Sequence, residues 1–370
     1  FLNFYYKPMI RILVLYERVK IKNCSSEKGG DRMTVDFSAV YMGVELKNPV
    51  IVGASGITSN LETIRQVEDA GAGGMVIKSL FEEQIALEAL ALEHELTDDD
   101  ERHAEMIALH PGIAHGGPEE HLMWVKKVVK GARIPIFASL NAGQKSVWVE
   151  WAEKLSQTGV QGLELNLYIM PVDSHLSGED IEKKQFAIVE EVLRVVSIPV
   201  AVKISPYYTN PLHVVSTFDK IGVKGHVLFN SFFNPDIDPD KQMEIRDITM
   251  SHETDSRLPL RFMALLYGAV EGSLCANRGI FSGRDVVKML LAGADCVQVV
   301  STLYKNGINS LKTMIEDIEQ WMDKNGYEVL DEFKGKLSKK RAHDPYAWER
   351  AQYVDILMRH ESPFLSRPEI

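Results

Sequence analysis

Short apolar runs recur along the chain, each followed by a polar or glycine turn and then a segment of helical period. The runs are Val50–Val52, Gly74–Ile77, Ile136–Ser139, Gly162–Leu165, Val200–Ile204, His226–Phe229, Ser273–Ala276 and Cys296–Val299. Their length and continuous apolarity suit strands buried on both faces. Between them, Asn60–Ala70 carries Leu61, Ile64 and Val67 at helix spacing. Glu119–Val129, Val147–Gln157, Glu179–Val196, Pro211–Lys220, Arg284–Leu291 and Ser310–Lys324 read the same way. The helix stops share one form: Ala70-Gly71-Ala72, Thr158-Gly159-Val160, Ile221-Gly222-Val223 and Leu291-Ala292-Gly293-Ala294. A glycine that closes a helix just before a strand is the loop chemistry of repeated βα units. Eight such strands are what a closed parallel barrel needs. An open doubly wound sheet is the alternative, but no GxGxxG follows the first strand. The expected fold is α/β: a (β/α)8 TIM barrel with an N-terminal β-hairpin and insertions at strand ends.

Two stretches break the rhythm. Leu80 to Leu109 is rich in Glu, Ala, Leu and His and holds the acidic run Thr97-Asp98-Asp99-Asp100-Glu101, which predicts a helix and an exposed link after the second strand. Asn234 to Leu258 is polar and charged, contains no Gly and reads as a solvated loop; its Asp236-Ile237-Asp238-Pro239-Asp240 lacks the Gly and Glu of a calcium loop. Insertions at the C-terminal ends of barrel strands sit over the active site. Residues 1–32 start with Phe, carry no element period, and are expected to be a non-native or disordered leader, with Met33 as the natural start. The barrel is expected over 33–337. Residues 338–370, with a helix-like Ala347–Met358, are expected to form a C-terminal helical arm.

Composition narrows the classes. Of 370 residues, 45% are hydrophobic and 25% charged, which is ordinary globular usage and excludes a disordered chain. The net charge of -11 disfavours nucleic acid as a partner. Cys24, Cys275 and Cys296 are far apart and form no CxxC pair, so neither a zinc nor an iron–sulfur signature is present and no metal site is expected. No apolar run reaches the length of a membrane span, so no membrane partner is expected. A cytoplasmic location is expected.

The strand ends carry polar groups that an apolar core would not choose. Strand one ends in Ala54-Ser55-Gly56, strand two in Lys78-Ser79, strand three in Ser139-Leu140-Asn141; strand four carries Glu164-Leu165-Asn166, strand five Lys203, and strand six ends in Asn230-Ser231. Lysines aimed into a barrel mouth are costly unless an anion or an electron-rich ring awaits them. With Ile77-Lys78-Ser79, Glu164-Leu165-Asn166-Leu167, Val202-Lys203-Ile204-Ser205-Pro206, Phe229-Asn230-Ser231 and Gly279-Ile280-Phe281-Ser282-Gly283-Arg284-Asp285, residues 34–337 resemble the dihydroorotate dehydrogenase family of class 1-type flavin barrels. Ser79-Leu80-Phe81-Glu82-Glu83-Gln84-Ile85 and Ala342 to Tyr353 are similar to a divergent subgroup of it.

The resemblance implies flavin mononucleotide (FMN) as cofactor and a pyrimidine-like substrate. It implies cofactor contacts at Ala54, Ser55, Gly56, Lys78, Ser79, Asn141, Asn166, Lys203, Asn230, Ser231, Arg278, Gly279 and Ser301, and substrate contacts at Lys78, Asn166 and Asn230. Lys203 would place a cation beside the ring edge that gains negative charge on reduction. A homodimer is expected from the family, and electron transfer by an iron–sulfur centre would need a separate subunit.

The chain departs from the family at two places. Where the family continues strand four with Asn-x-Ser-Cys-Pro-Asn, this chain reads Asn166-Leu167-Tyr168-Ile169-Met170-Pro171, so the base position is Ile169 and the substrate-binding Asn is Pro171. Candidates for the missing proton-transfer group, besides Lys78, are Tyr168, His115 and His175; a phenol with a pKa of about 10 serves better as an acid than as a base. Of the family's paired phosphate-cradling glycines only Gly279 remains, and Arg278 and Ser301 would supply the contacts instead. The expected function is hydride exchange between a dihydroorotate-like ring and flavin. The alternatives are a flavin reductase acting on another unsaturated substrate and a catalytically silent, ligand-binding barrel.

Overall fold

The computed structural model describes residues 35–86, 118–167, 169–231, 234–245 and 249–349. Eight parallel strands close on themselves: β3 (Val50–Val52), β4 (Gly74–Val76), β6 (Ile136–Asn141), β7 (Gly162–Asn166), β8 (Val200–Ile204), β9 (Gly225–Leu228), β12 (Ser273–Asn277) and β13 (Cys296–Val299). The ring is closed by β13 on β3 (Val297 opposite Val50) and by β4 on β6 (Met75 opposite Ile136). Each strand matches a predicted run to within two residues at either end, because fully apolar runs have one stable home, a sheet covered on both faces.

Helices follow the strands: α1 (Leu61–Asp69), α2 (Pro118–Gly131), α3 (Lys145–Ser156), α4 (Gly178–Val195), α5 (Pro211–Ile221), α6 (Arg257–Leu266), α7 (Gly283–Ala292), α8 (Ser301–Asn306) and α9 (Ser310–Asn325). Their starts are chemically marked. Ser177 and Ser282 each close a capping box with an aspartate three residues on, and Asn210 caps α5 ahead of Pro211. Gly222 ends α5 at φ +110°, a conformation that a side chain disfavours.

A hairpin, β1 (Ala39–Tyr41) and β2 (Val44–Leu46), stoppers the N-terminal end of the barrel. Tyr41 meets Phe137 edge-to-face with ring centroids 5.3 Å apart. A Cβ at Gly162 would lie 2.8 Å from Met42 Cε, and one at Gly225 would lie 2.8 Å from Met42 Cγ, so the two glycines make room for the stopper. The predicted N-terminal hairpin is therefore present and covers the end opposite the polar mouth.

The insertions differ from expectation in part. After β4, Leu80–Phe81 forms a short strand, β5, paired with the top of β6; the acidic run that follows lies outside the described residues. Asn234 to Leu258 is not simply a loop: Asp236–Asp238 (β10) and Met243–Ile245 (β11) pair as an antiparallel hairpin. Asp238 Oδ1 accepts from the backbone N–H groups of Asp240 and Lys241, both at 3.0 Å. A side chain thus builds the turn that a glycine usually supplies, which is why the pattern hid it. Of the predicted arm, Pro345–Trp348 is a 3-10 turn; the helix expected beyond it lies outside the described residues.

Candidate active site

The C-terminal strand ends surround a cavity of about 390 Å³. Ala54, Ser55 and Gly56 follow β3, Lys203 comes from β8, Asn230 and Ser231 follow β9, Arg278 and Gly279 follow β12, and Ser301 opens α8; all of them line this space. Strands of different sequence distance deliver them because a parallel barrel gathers every strand's C-terminal end on one face. The insertion adds Thr249, Met250 and Ser251 to the wall.

The floor is a buried polar group. Lys203 Nζ donates to Gln298 Oε1 at 3.1 Å, Gln298 Nε2 donates to Glu164 Oε2, and Lys203 Nζ lies 3.6 Å from Glu164 Oε1. Asn230 Nδ2 donates to Asn166 Oδ1 at 2.7 Å, which ties Asn166 to the wall without placing it on it. Buried charges persist only when paired in this way.

At the other end, the turn after β12 runs through Arg278 at φ +81° and Gly279 at φ +67°. Asn277 Oδ1 accepts from Arg278 N at 2.9 Å and holds the turn. Arg278 Nη2 lies 3.5 Å from Asp255 Oδ2, while Arg278 Nε is buried without a partner. Ser251 N donates to Ser301 Oγ at 3.1 Å, and Lys305 Nζ donates to Ser251 O at 2.8 Å. The insertion is therefore fastened to both turns. A Cβ on Gly279 would lie 2.2 Å from Ser256 N, so this glycine is required by that close approach as well as by its φ.

A second cavity, of about 440 Å³, lies between the loop after β7 and the loop after β8. Leu167, Ile169, Met170 and Pro171 form one side, Ile181, Glu182 and Gln185 of α4 another, and Tyr207 and Tyr208 a third. Tyr208 donates to Gln185 Oε1 at 2.8 Å, and burial pushes its hydroxyl pKa up to about 12 despite that bond.

A sequence model of the family described as dihydroorotate dehydrogenase matches residues 37–322. The chain belongs to the dihydroorotate dehydrogenase family. As a member, it is a flavin-type oxidoreductase acting on a CH–CH bond. It is 24% identical over 315 residues to a dihydroorotate dehydrogenase B (NAD(+)) catalytic subunit of Thermoplasma volcanium, covering 82% of this chain and 99% of that one. It is 26% identical over 306 residues to the subunit of the same name from Petrotoga mobilis, covering 81% and 99%. With the NAD-dependent dihydropyrimidine dehydrogenase subunit PreA of Escherichia coli it shares 24% over 326 residues, covering 82% and 77%.

Measured against that family, several predicted residues fall elsewhere than the first cavity. Lys78 is exposed and Ser79 is buried, with its Oγ 2.7 Å from Ser139 Oγ. Asn141 pairs by its backbone with Phe81 of β5, the added strand that occupies that edge. His175 is exposed in a turn where its N–H donates to Asp173 Oδ1 at 2.9 Å, and it lines neither cavity. His115 and Tyr168 lie outside the described residues.

Sequence reasoning missed Gln298, Ser251, Asp255 and Tyr304. Gln298 sits inside an apolar run, where a lone polar residue at an inward position was the signal. It also missed His121 in the first turn of α2. Burial, and then the charge of Lys78, push the His121 pKa down to about 4, and its Nε2 is buried with no hydrogen-bond partner. Nothing in the linear sequence joins His121 to Lys78. Among the described residues no helix is long and apolar enough to cross a membrane, and no group of three or more His, Cys, Asp or Glu gathers to hold a metal ion.

Proposed function

We propose that the chain is an FMN-dependent oxidoreductase exchanging hydride between flavin and a dihydropyrimidine-like substrate, dihydroorotate or orotate being the reference pair. One observation carries the reading. The first cavity presents an ammonium at its floor, and two buried polar atoms without partners, Ser55 Oγ and Arg278 Nε, belong to residues of its wall. Buried polar atoms are rarely left unpaired in a folded chain, so these two fit contacts made only when a ligand is held. Lys203 suits a ring edge that gains negative charge, and Arg278 with Ser301 suits a phosphate. The chemistry that FMN supplies when bound is two-electron hydride exchange.

The chain's own residues then divide the work. Lys203 holds a positive charge beside the ring position. Asn230 offers an amide group to a polar ring edge, and Asn166 holds it in place. Ile169, in the place where the family carries its base, holds no proton. It lies instead in an apolar wall with Met170 and Pro171. That wall favours a second reading, in which the flavin chemistry is kept and the substrate is a less polar unsaturated ring. We also infer exchange of electrons with a separate subunit, which suits a chain with three scattered cysteines and a relative named as a subunit. A homodimer in the cytoplasm completes this reading.

The test is the visible spectrum of the purified chain under anaerobic conditions, before and after dihydroorotate. A flavin band that bleaches supports the full reading. A band that stays keeps the cofactor and favours the less polar substrate. Absence of a band, even after incubation with FMN, overturns the proposal.

A further inference from the structure

The interior of the barrel between the hairpin stopper and the first cavity contains a polar column that the proposed function leaves unexplained. Glu164 and Gln298 are each 1% exposed and Lys203 is 6% exposed. Glu164 Oε1 pairs with the ammonium at 3.6 Å, and the Gln298 amide braces the pair from the side, giving its N–H to the other carboxylate oxygen and its carbonyl to Lys203 Nζ. Oε1 itself has no hydrogen bond. Gln298 Oε1 lies close to Gly53, where an added Cβ would come within 3.3 Å of it. The groups beneath are Tyr41, Cys275 and Cys296; burial pushes the Tyr41 hydroxyl and the Cys296 thiol up, so both stay protonated and neutral. The ion-pair partner of Lys203 is thus Glu164, held just beyond hydrogen-bond length.

A carboxylate so deep is costly unless it serves a partner. The bridging amide adds something that a closed salt bridge lacks: by bonding to both partners it keeps the ammonium raised to the cavity floor, 3.6 Å from the carboxylate, with its charge only partly offset. We propose that Glu164 and Gln298 are positioning residues for Lys203, the glutamine fixing the height of the ammonium and the glutamate setting how much positive charge the cavity feels. The inference deepens the FMN reading and rests on it only for its effect on flavin.

Opposite signs follow for the two partners. Glu164→Gln removes the offsetting anion and leaves the cavity more positive. Gln298→Met removes the bridging amide at similar volume, so the ammonium closes on Glu164 and the cavity becomes less positive. A merely structural role would shift both in the same direction.

The first measurement needs no flavin. The full-length chain, freed of flavin by dialysis, is treated with limiting acetic anhydride at pH 8, and acetylation of Lys203 is followed by mass spectrometry against exposed Lys224. Removing the carboxylate frees the amine from its partner, so E164Q is expected to label Lys203 severalfold faster than the unaltered chain. Q298M is expected to label it more slowly. Equal rates in all three chains overturn the proposal. The second measurement is FMN titration by fluorescence, in air and with dithionite. The ratio of reduced to oxidised affinity rises in E164Q and falls in Q298M, and a shift of the same sign in both variants overturns the proposal. If the unaltered chain binds no FMN, the proposed function fails, while the labelling result still decides this inference.

Discussion

The two cavities at the barrel mouth are close in size, about 390 and 440 Å³, but they are made of different material. The first takes its wall from the ends of five strands or the turns just after them, with polar side chains tied by hydrogen bonds to one another. The second is walled by the loops after β7 and β8 and by a face of α4, with Leu167, Ile169, Met170, Pro171 and Ile181 supplying its aliphatic side. Strand ends are held by the whole sheet, whereas loops are held by their own packing and change more freely. The contrast teaches where this chain has kept its chemistry and where it has rebuilt it. The first cavity has a charged, preorganised frame, and the loop after β7 presents Leu167, Ile169, Met170 and Pro171 to the second.

Three changes would break or sharpen that contrast. The largest effect is expected from Gly279→Ala. The new Cβ would meet Ser256 N at 2.2 Å in a backbone at φ +67°, so the turn that carries Arg278 must move. We expect a loss of about 3 kcal/mol in unfolding free energy, together with loss of FMN retention, read by denaturant melts and by absorbance after desalting. Full retention of both would show that the turn yields freely and is no frame at all. Next comes Arg278→Met. A charge-assisted contact of about 2 kcal/mol corresponds to a roughly thirtyfold weaker FMN Kd, with riboflavin affinity unchanged. Equal weakening of both ligands would move the phosphate away from this turn. The smallest change is Tyr208→Phe, which leaves Gln185 Oε1 without its donor in the second cavity. It should cost about 1–2 kcal/mol in stability by chemical denaturation and leave FMN affinity untouched. A shift in FMN affinity would mean that the two cavities are coupled.

Much of this was legible beforehand, for reasons that can be named. Doubly buried strands write themselves as unbroken apolar runs, so all eight barrel strands could be placed from Val50–Val52 to Cys296–Val299. A barrel brings strand ends together by topology alone, so Ser55, Lys203, Asn230 and Arg278 could be assigned to one space. What escaped depended on chains meeting across long separations. Asp255 and Ser251 reach Arg278 and Ser301 from an insertion whose pattern looks like solvated loop. Asn141 is diverted by β5, a strand of two residues too short to leave a pattern. Gln298 reads as a strand residue until Lys203 and Glu164 are seen on either side of it.

One contact at the margin of the barrel bears on how the domain is strung. Asp36 pairs with Val329 in a parallel bridge: its N–H donates to Glu328 O at 2.9 Å, and its own carbonyl accepts from Leu330 N at 3.3 Å. The barrel segment therefore begins and finishes at one spot, knotted by backbone. Peptide order around such a ring is a matter of where the thread was cut. A circular permutant that joins these neighbours by a short linker and opens the chain in an exposed turn, such as that between β10 and β11, keeps every strand beside its partners.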